Sequence, residues 1–164
     1  MHKEESLLTV AKRQPISNGV IKIIVSGLGC GYVPIFPGTS GTLLGFIIFW
    51  GVKNNLYIYG LVLILIVLLG FIFISQAEKI FRRKDDTKIV LDEIFGILFC
   101  FWGIGFVDVP LAVVGFLLFR LLDILKPPPA RSCEKLHGAA GVMLDDLAAA
   151  GYTNLILRLM LKFR

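Results

Sequence analysis

The sequence predicts an all-α, multi-pass integral membrane helical bundle with four to five membrane-embedded helices. Three observations carry this expectation. Of 164 residues, 56% are hydrophobic, above the roughly 45–50% of a soluble domain, and the mean hydropathy is +0.80. The run Leu56 to Ile74 holds 19 residues without a charge, and about 20 apolar residues cross the ~30 Å hydrocarbon core of a bilayer. Proline and glycine break the remaining apolar runs at helix-length intervals, and a chain in lipid must satisfy its backbone polar groups within helices.

The elements follow in order. Residues 1–18 form a polar segment, whose opening MHKEESLLTVAKRQP is mixed-charge and lacks the continuous apolar stretch of a signal peptide. Residues 19–164 read as a single membrane-embedded domain. A Gly-rich apolar stretch runs from Val20 to Tyr32, and Pro34-Ile35-Phe36-Pro37-Gly38-Thr39-Ser40-Gly41 is dense in breakers. Helices are expected over about 41–53, 56–78, 91–107, 110–125 and 143–162. Asp108 and Pro110 join the third to the fourth, with proline suited to a first helical turn. Pro127-Pro128-Pro129 stops the fourth, because proline lacks a donor and biases its predecessor away from helix. The last helix either spans, lies at the interface or penetrates partly, since Arg158, Lys162 and Arg164 crowd its end.

Basic residues orient the bundle. Lys3, Lys12, Arg13 and Lys22 precede the first apolar run; Lys79, Arg82, Arg83, Lys84 and Lys88 follow the Leu56 helix; Lys126, Arg131 and Lys135 follow a later one. The alternate connections, Lys53-Asn54-Asn55 and Val107-Asp108-Val109-Pro110, share one lysine. The clusters read as cytoplasmic and the short turns as external. A net charge of +5 does not indicate nucleic acid, because these charges border apolar helices instead of forming one basic face. Cys30, Cys100 and Cys133 fit neither a metal motif nor a disulfide framework.

Five carboxylates abut or interrupt apolar runs: Asp92, Glu93, Asp123, Asp145 and Asp146. Ionisable groups there are costly and mark function. Glu93 precedes Asp108 by 15 residues and Asp123 follows it by 15, so in a helical hairpin both lie roughly 22 Å from the turn. Arg120 then falls opposite Gly96 and shares a helical face with Asp123. Clustered carboxylates without His or Cys partners suit a hard cation such as Mg²⁺. Arg120 and Lys126 add phosphate-binding capacity, and Gly38, Thr39 and Ser40 lead into a helix whose N-terminus suits an anion. Each piece has a simpler reading. Asp92-Glu93 and Asp145-Asp146 are also what a helix N-terminus favours, Arg120 and Asp123 also make an interfacial ion pair, Thr39 or Ser40 also serves as an N-cap, and His137 reads as a loop residue.

The strings PIFPGTSGTL, VLDEIFG, FRLLDILKPPPAR and LHGAAGVMLDDLAAAG resemble, in order and spacing, those of the bacterial phosphatidylglycerophosphatase A family. The resemblance runs from about Gly27 to Gly151. It implies a Mg²⁺-dependent phosphatase of the bacterial inner membrane that converts phosphatidylglycerophosphate to phosphatidylglycerol, and the charge distribution along this multi-pass chain puts the site on the cytoplasmic face. It maps the family's acidic positions, as metal and catalytic residues, onto Asp92, Glu93, Asp123, Asp145 and Asp146, and its basic motif onto Arg120 and Lys126. No catalytic role transfers to His137.

Other phosphatase routes are absent from the sequence. No cysteine has an arginine six positions on, no D-x-D-x-T aspartyl nucleophile motif occurs, and neither a P-S-G-H element nor the D-G-x-x-A-R signature of headgroup transferases is present. Water activated at a metal site is the remaining simple nucleophile, with a phospho-aspartate route still open. Two other classes stay open on the residues alone: a small cation-conducting or transport subunit, and a non-enzymatic lipid-binding membrane protein.

Overall fold

The computed structural model describes residues 16–133 and 136–163, so most of the polar segment 1–18 lies outside the described residues. Among the described residues there are seven α-helices, one 3-10 turn at Cys30–Tyr32 and no strand. The helices are α1 (Asn18–Val25), α2 (Pro37–Val52), α3 (Leu56–Phe81), α4 (Leu91–Cys100), α5 (Val109–Leu125), α6 (Ala130–Cys133) and α7 (Ala139–Lys162).

Local chemistry sets several starts. Asn55 Oδ1 accepts from Tyr57 N and Ile58 N at 3.1 Å to open α3, and Asp108 Oδ1 accepts from Leu111 N at 3.0 Å to open α5. Each carboxamide or carboxylate satisfies donors that the first turn leaves free. Pro37 and Pro110 occupy first turns, where no proline N–H is missed.

Three boundaries differ from those expected by four residues or more. α2 begins at Pro37 instead of 41, so Gly38, Thr39 and Ser40 form its first turn. α7 begins at Ala139 instead of 143, after Gly138 at φ +68°, with Ser75 Oγ accepting from Ala139 N at 3.0 Å. α4 ends at Cys100 instead of 107. Asn154 Nδ2 donates to Cys100 O at 2.8 Å and Trp102 O at 3.0 Å, and Arg158 Nη2 donates to Trp102 O at 2.9 Å. Side chains of α7 thus take carbonyls that a longer α4 would have used itself.

That truncation makes α4 the centre of the bundle. Eight of its ten residues are buried, and it packs against α2 on one side and α7 on the other. A Cβ on Gly45 would sit 2.5 Å from Ile97 Cγ2 and one on Gly96 would sit 2.4 Å from Phe119 Cζ. Glycine at these contacts lets the helices approach closely. Phe119 occupies the place opposite Gly96 that the hairpin reading gave to Arg120.

Ten residues rise only about 15 Å, half of a ~30 Å hydrocarbon core. Among the described helices, α3 is the one long and apolar enough to cross a bilayer; α2 is a shorter apolar helix. The two short turns expected on one side do lie together, for Lys53 Nζ donates to Val107 O at 3.2 Å. The charged cleft lies at the opposite end of α2 and α5.

Candidate active site

Four helices each bring one terminal region to this cleft. The first turn of α4 supplies Asp92 and Glu93. The last two turns of α5 supply Arg120 and Asp123, and Lys126 follows at φ +46° as the C-cap. α7 supplies Asp145 and Asp146, and the start of α2 supplies Gly38. These eight residues line one cavity of about 370 Å³. Asp145 and Asp146 lie beyond the first turn of α7, where a helix dipole no longer explains them, because its effect fades within one turn.

The basic groups are held in place by acids. Arg120 Nη1 donates to Asp123 Oδ2 at 2.7 Å and approaches Glu93 Oε1 at 3.9 Å. It also reaches Thr42 Oγ1 at 3.4 Å, and Thr42 itself donates to Gly38 O at 2.8 Å. Lys126 Nζ pairs with Asp145 Oδ2 at 2.8 Å, and Asp145 Oδ1 accepts from Asp146 N at 3.0 Å. Charged donor pairs of this length are stronger than neutral ones.

The remaining acids are unbalanced. Asp92, Glu93 and Asp146 each place a carboxylate oxygen within 4.8 Å of the others'. Buried Asp92 Oδ1, Glu93 Oε2, Asp146 Oδ2 and Arg120 Nε have no hydrogen-bond partner. Leaving such groups unsatisfied costs about 1–3 kcal/mol each, more when charged. These three acids are the cation-holding candidates among the described residues.

The predicted phosphate loop divides. Gly38 lines the cavity, and a Cβ there would lie 2.3 Å from Glu93 Oε1 and 3.1 Å from Arg120 Nη2. Thr39 and Ser40 do not line it; the Ser40 hydroxyl is turned toward Cys30 O at 2.8 Å and Pro37 O at 2.7 Å. His137 is exposed and outside the cavity. Residues that sequence reasoning missed are Thr42, Asp85, Phe36 and Ile124. Thr42 was findable, being one helical turn beyond Gly38 on the same face. Asp85 had no such signal, since a left-handed backbone at φ +48° carries it into the cavity lining.

Clustered acids around a fixed arginine and lysine form a helical site whose groups suit a cation and a phosphate. The chain belongs to the phosphatidylglycerophosphatase A family, whose profile matches residues 23–161, and is a phosphatase by that membership. It is 34% identical over 143 residues to phosphatidylglycerophosphatase A of Escherichia coli K12, covering 85% of this chain and 83% of the relative. The Haemophilus influenzae protein of the same name is 34% identical over 143 residues, 83% of this chain and 85% of its own. A Bacteroides thetaiotaomicron protein provisionally named phosphatidylinositol-3-phosphatase is 33% identical over 147 residues, 82% of this chain and 89% of its own. No solved structure matches the chain at a significant level.

Proposed function

We propose that this protein hydrolyses the terminal phosphomonoester of phosphatidylglycerophosphate to phosphatidylglycerol and phosphate, using Mg²⁺, at the cytoplasmic face of the bacterial inner membrane. The observation that carries the reading is the convergence of Asp92, Glu93, Asp123, Asp145, Asp146, Arg120 and Lys126 on one cavity. Two relatives named phosphatidylglycerophosphatase A suggest the substrate.

The residues fit a hard cation. Three mutually close carboxylates with unpartnered buried oxygens repel one another unless a cation or protons neutralise them, and oxygen-only donors suit Mg²⁺. Asp92, Glu93 and Asp146 would hold it, with Asp123 and Asp145 also within the cavity lining. When bound, Mg²⁺ supplies charge neutralisation and water acidification.

The chain's own residues do the rest. Arg120, braced by Asp123 and Thr42, lines the cavity and offers its guanidinium to a phosphoryl oxygen. Lys126, anchored on Asp145, faces the same cavity as a point charge. Water attacks phosphorus in line, the bond to the lipid oxygen breaks, and that oxygen takes a proton. A cavity carboxylate accepts the proton that the attacking water loses.

Outward-facing apolar side chains support membrane embedding. Leu43 and Ile47 on α2, Leu61, Leu65 and Leu68 on α3, and Val113, Leu117 and Leu121 on α5 are exposed at helical spacing. A contiguous surface of this kind marks contact with lipid or another apolar partner. Grouping of the acids at one end disfavours a cation path, which would distribute them through the membrane depth. A lipid-binding scaffold would not need three mutually close carboxylates each with an unpartnered buried oxygen.

Phosphate release by the purified protein from phosphatidylglycerophosphate, with phosphatidylinositol 3-phosphate alongside, tests the reading. Turnover should stop in chelator and return with Mg²⁺, and Asp146→Asn should lower it by roughly two to three orders of magnitude. Mg²⁺ at a hundred times its dissociation constant should stabilise the parent by about 2.7 kcal/mol and Asp146→Asn by much less. Full turnover in chelator, or in both Asp92→Asn and Asp146→Asn, refutes the metal assignment.

A further inference from the structure

Apolar surface runs along the seam of α2 and α5, from the mouth of the catalytic cavity toward the opposite end of the bundle. Phe36 at the start of α2 and Ile124 near the end of α5 both line that cavity. They are 74% and 70% exposed, an unusual rim for a site built of charges. Phe36 holds a left-handed backbone, φ 57° and ψ 58°, which costs a non-glycine residue about 1–2 kcal/mol. Its outward position is therefore fixed against local preference.

The two helices keep register beyond the rim. Ile47 follows Phe36 by 11 residues and Val113 precedes Ile124 by 11, which puts the second pair about 16 Å from the first along both helices. Phe46, Ile47, Trp50, Gly51, Val109 and Val113 there line an apolar groove of about 520 Å³. Between the two ends, Leu43, Leu117 and Leu121 are exposed. One leaflet of a ~30 Å hydrocarbon core is about 15 Å deep, so the groove lies where an acyl chain from a headgroup-level phosphate would end.

We propose that the α2–α5 seam is an acyl-chain site. The diacyl phosphomonoester seats its phosphate against Arg120 and Lys126, passes between Phe36 and Ile124, and lays one chain along the seam into the groove. This rests on the proposed hydrolysis of a lipid phosphomonoester and adds where its apolar part is held. A second apolar groove, lined by Gly60, Leu63, Phe95, Trp102 and Leu147, is disfavoured because the two exposed apolar residues of the cavity rim, Phe36 and Ile124, stand at the start of α2 and near the end of α5 and not beside it.

Phosphatidylglycerophosphate with a diazirine at one acyl terminus, photolysed with the full-length protein in mixed micelles, reports the track directly. Label is expected in 46–51 and 109–113. Label confined to α3 and α7, or spread evenly over all outward faces, overturns the proposal. Gly51→Phe provides a second measurement, because a Cβ at Gly51 meets no atom within 4 Å and the ring can fill the groove without displacing the helix. The ratio of turnover on dihexadecanoyl over dibutanoyl substrate should fall at least about tenfold. An unchanged ratio overturns the proposal, as does an unchanged ratio with an altered oligomeric state, which would give the groove to a second copy. Should the parent hydrolyse neither substrate, the functional reading fails, while the photolabel still decides whether a lipid chain occupies the seam.

Discussion

Gly38→Ala isolates the contribution of cavity geometry from that of cavity charge, since it removes no functional group. The added Cβ would sit 2.3 Å from Glu93 Oε1, against an ordinary contact of at least 3.4 Å. The shortfall is 1.1 Å by subtraction, and Arg120 Nη2 at 3.1 Å and Nη1 at 3.3 Å block retreat on the other side. Side-chain ends can yield, so the fold should survive, but Glu93 must shift by about 1 Å and Arg120 by a few tenths of an ångström. Misplacement on that scale can cost about a hundredfold in rate, or roughly 2.7 kcal/mol of transition-state stabilisation. Steady-state phosphate release should show that loss mainly in kcat, with thermal unfolding close to the parent. Gly151→Ala is the control: it lies within α7 and its Cβ meets nothing within 4 Å. It should keep activity and gain up to about 1 kcal/mol of helix propensity. Parental kcat in folded Gly38→Ala would show that Gly38 has no part in arranging the site.

Two further substitutions separate chemistry from architecture. Arg120→Lys keeps the charge but loses the planar fork that reaches Asp123, Glu93 and Thr42; kcat should fall by roughly a hundredfold, and activity near the parent's would demote Arg120 to a structural ion pair. Asn154→Leu strips the donor from Cys100 O and Trp102 O and should lower unfolding stability by about 1–3 kcal/mol. Unchanged denaturant midpoints in that variant would mean that α4 needs no cap from α7.

Much of the site was legible because charge in an apolar chain is conspicuous. Asp92, Glu93, Arg120, Asp123, Lys126, Asp145 and Asp146 stood out one by one, and all seven line the same cavity. The ion pair between Arg120 and Asp123 followed from helical spacing alone. The pairing of Lys126 with Asp145 did not, because it joins residues 19 apart through the way α5 and α7 pack. Helix ends were the weaker inference. From Ile94 to Val107 the run carries no charged residue, and periodicity cannot register that Asn154 and Arg158, more than 50 residues away, take the carbonyls at its end. Ser40 reads like an anion ligand until the turn at Cys30 claims its hydroxyl.

By itself the sequence determined the helical class, the apolar runs, the turns at Asn55 and Asp108, and the family to which the chain belongs. These depend on local propensity, hydropathy and motif spacing, all carried by near neighbours along the chain. Only the tertiary structure decided that α4 is a short central helix of ten residues, that Gly38 abuts Glu93, and that three acids meet with unpartnered oxygens. Those facts arise from packing between α2, α4, α5 and α7, where a contact depends on side-chain shape and helix end together, and no window of the sequence contains both partners.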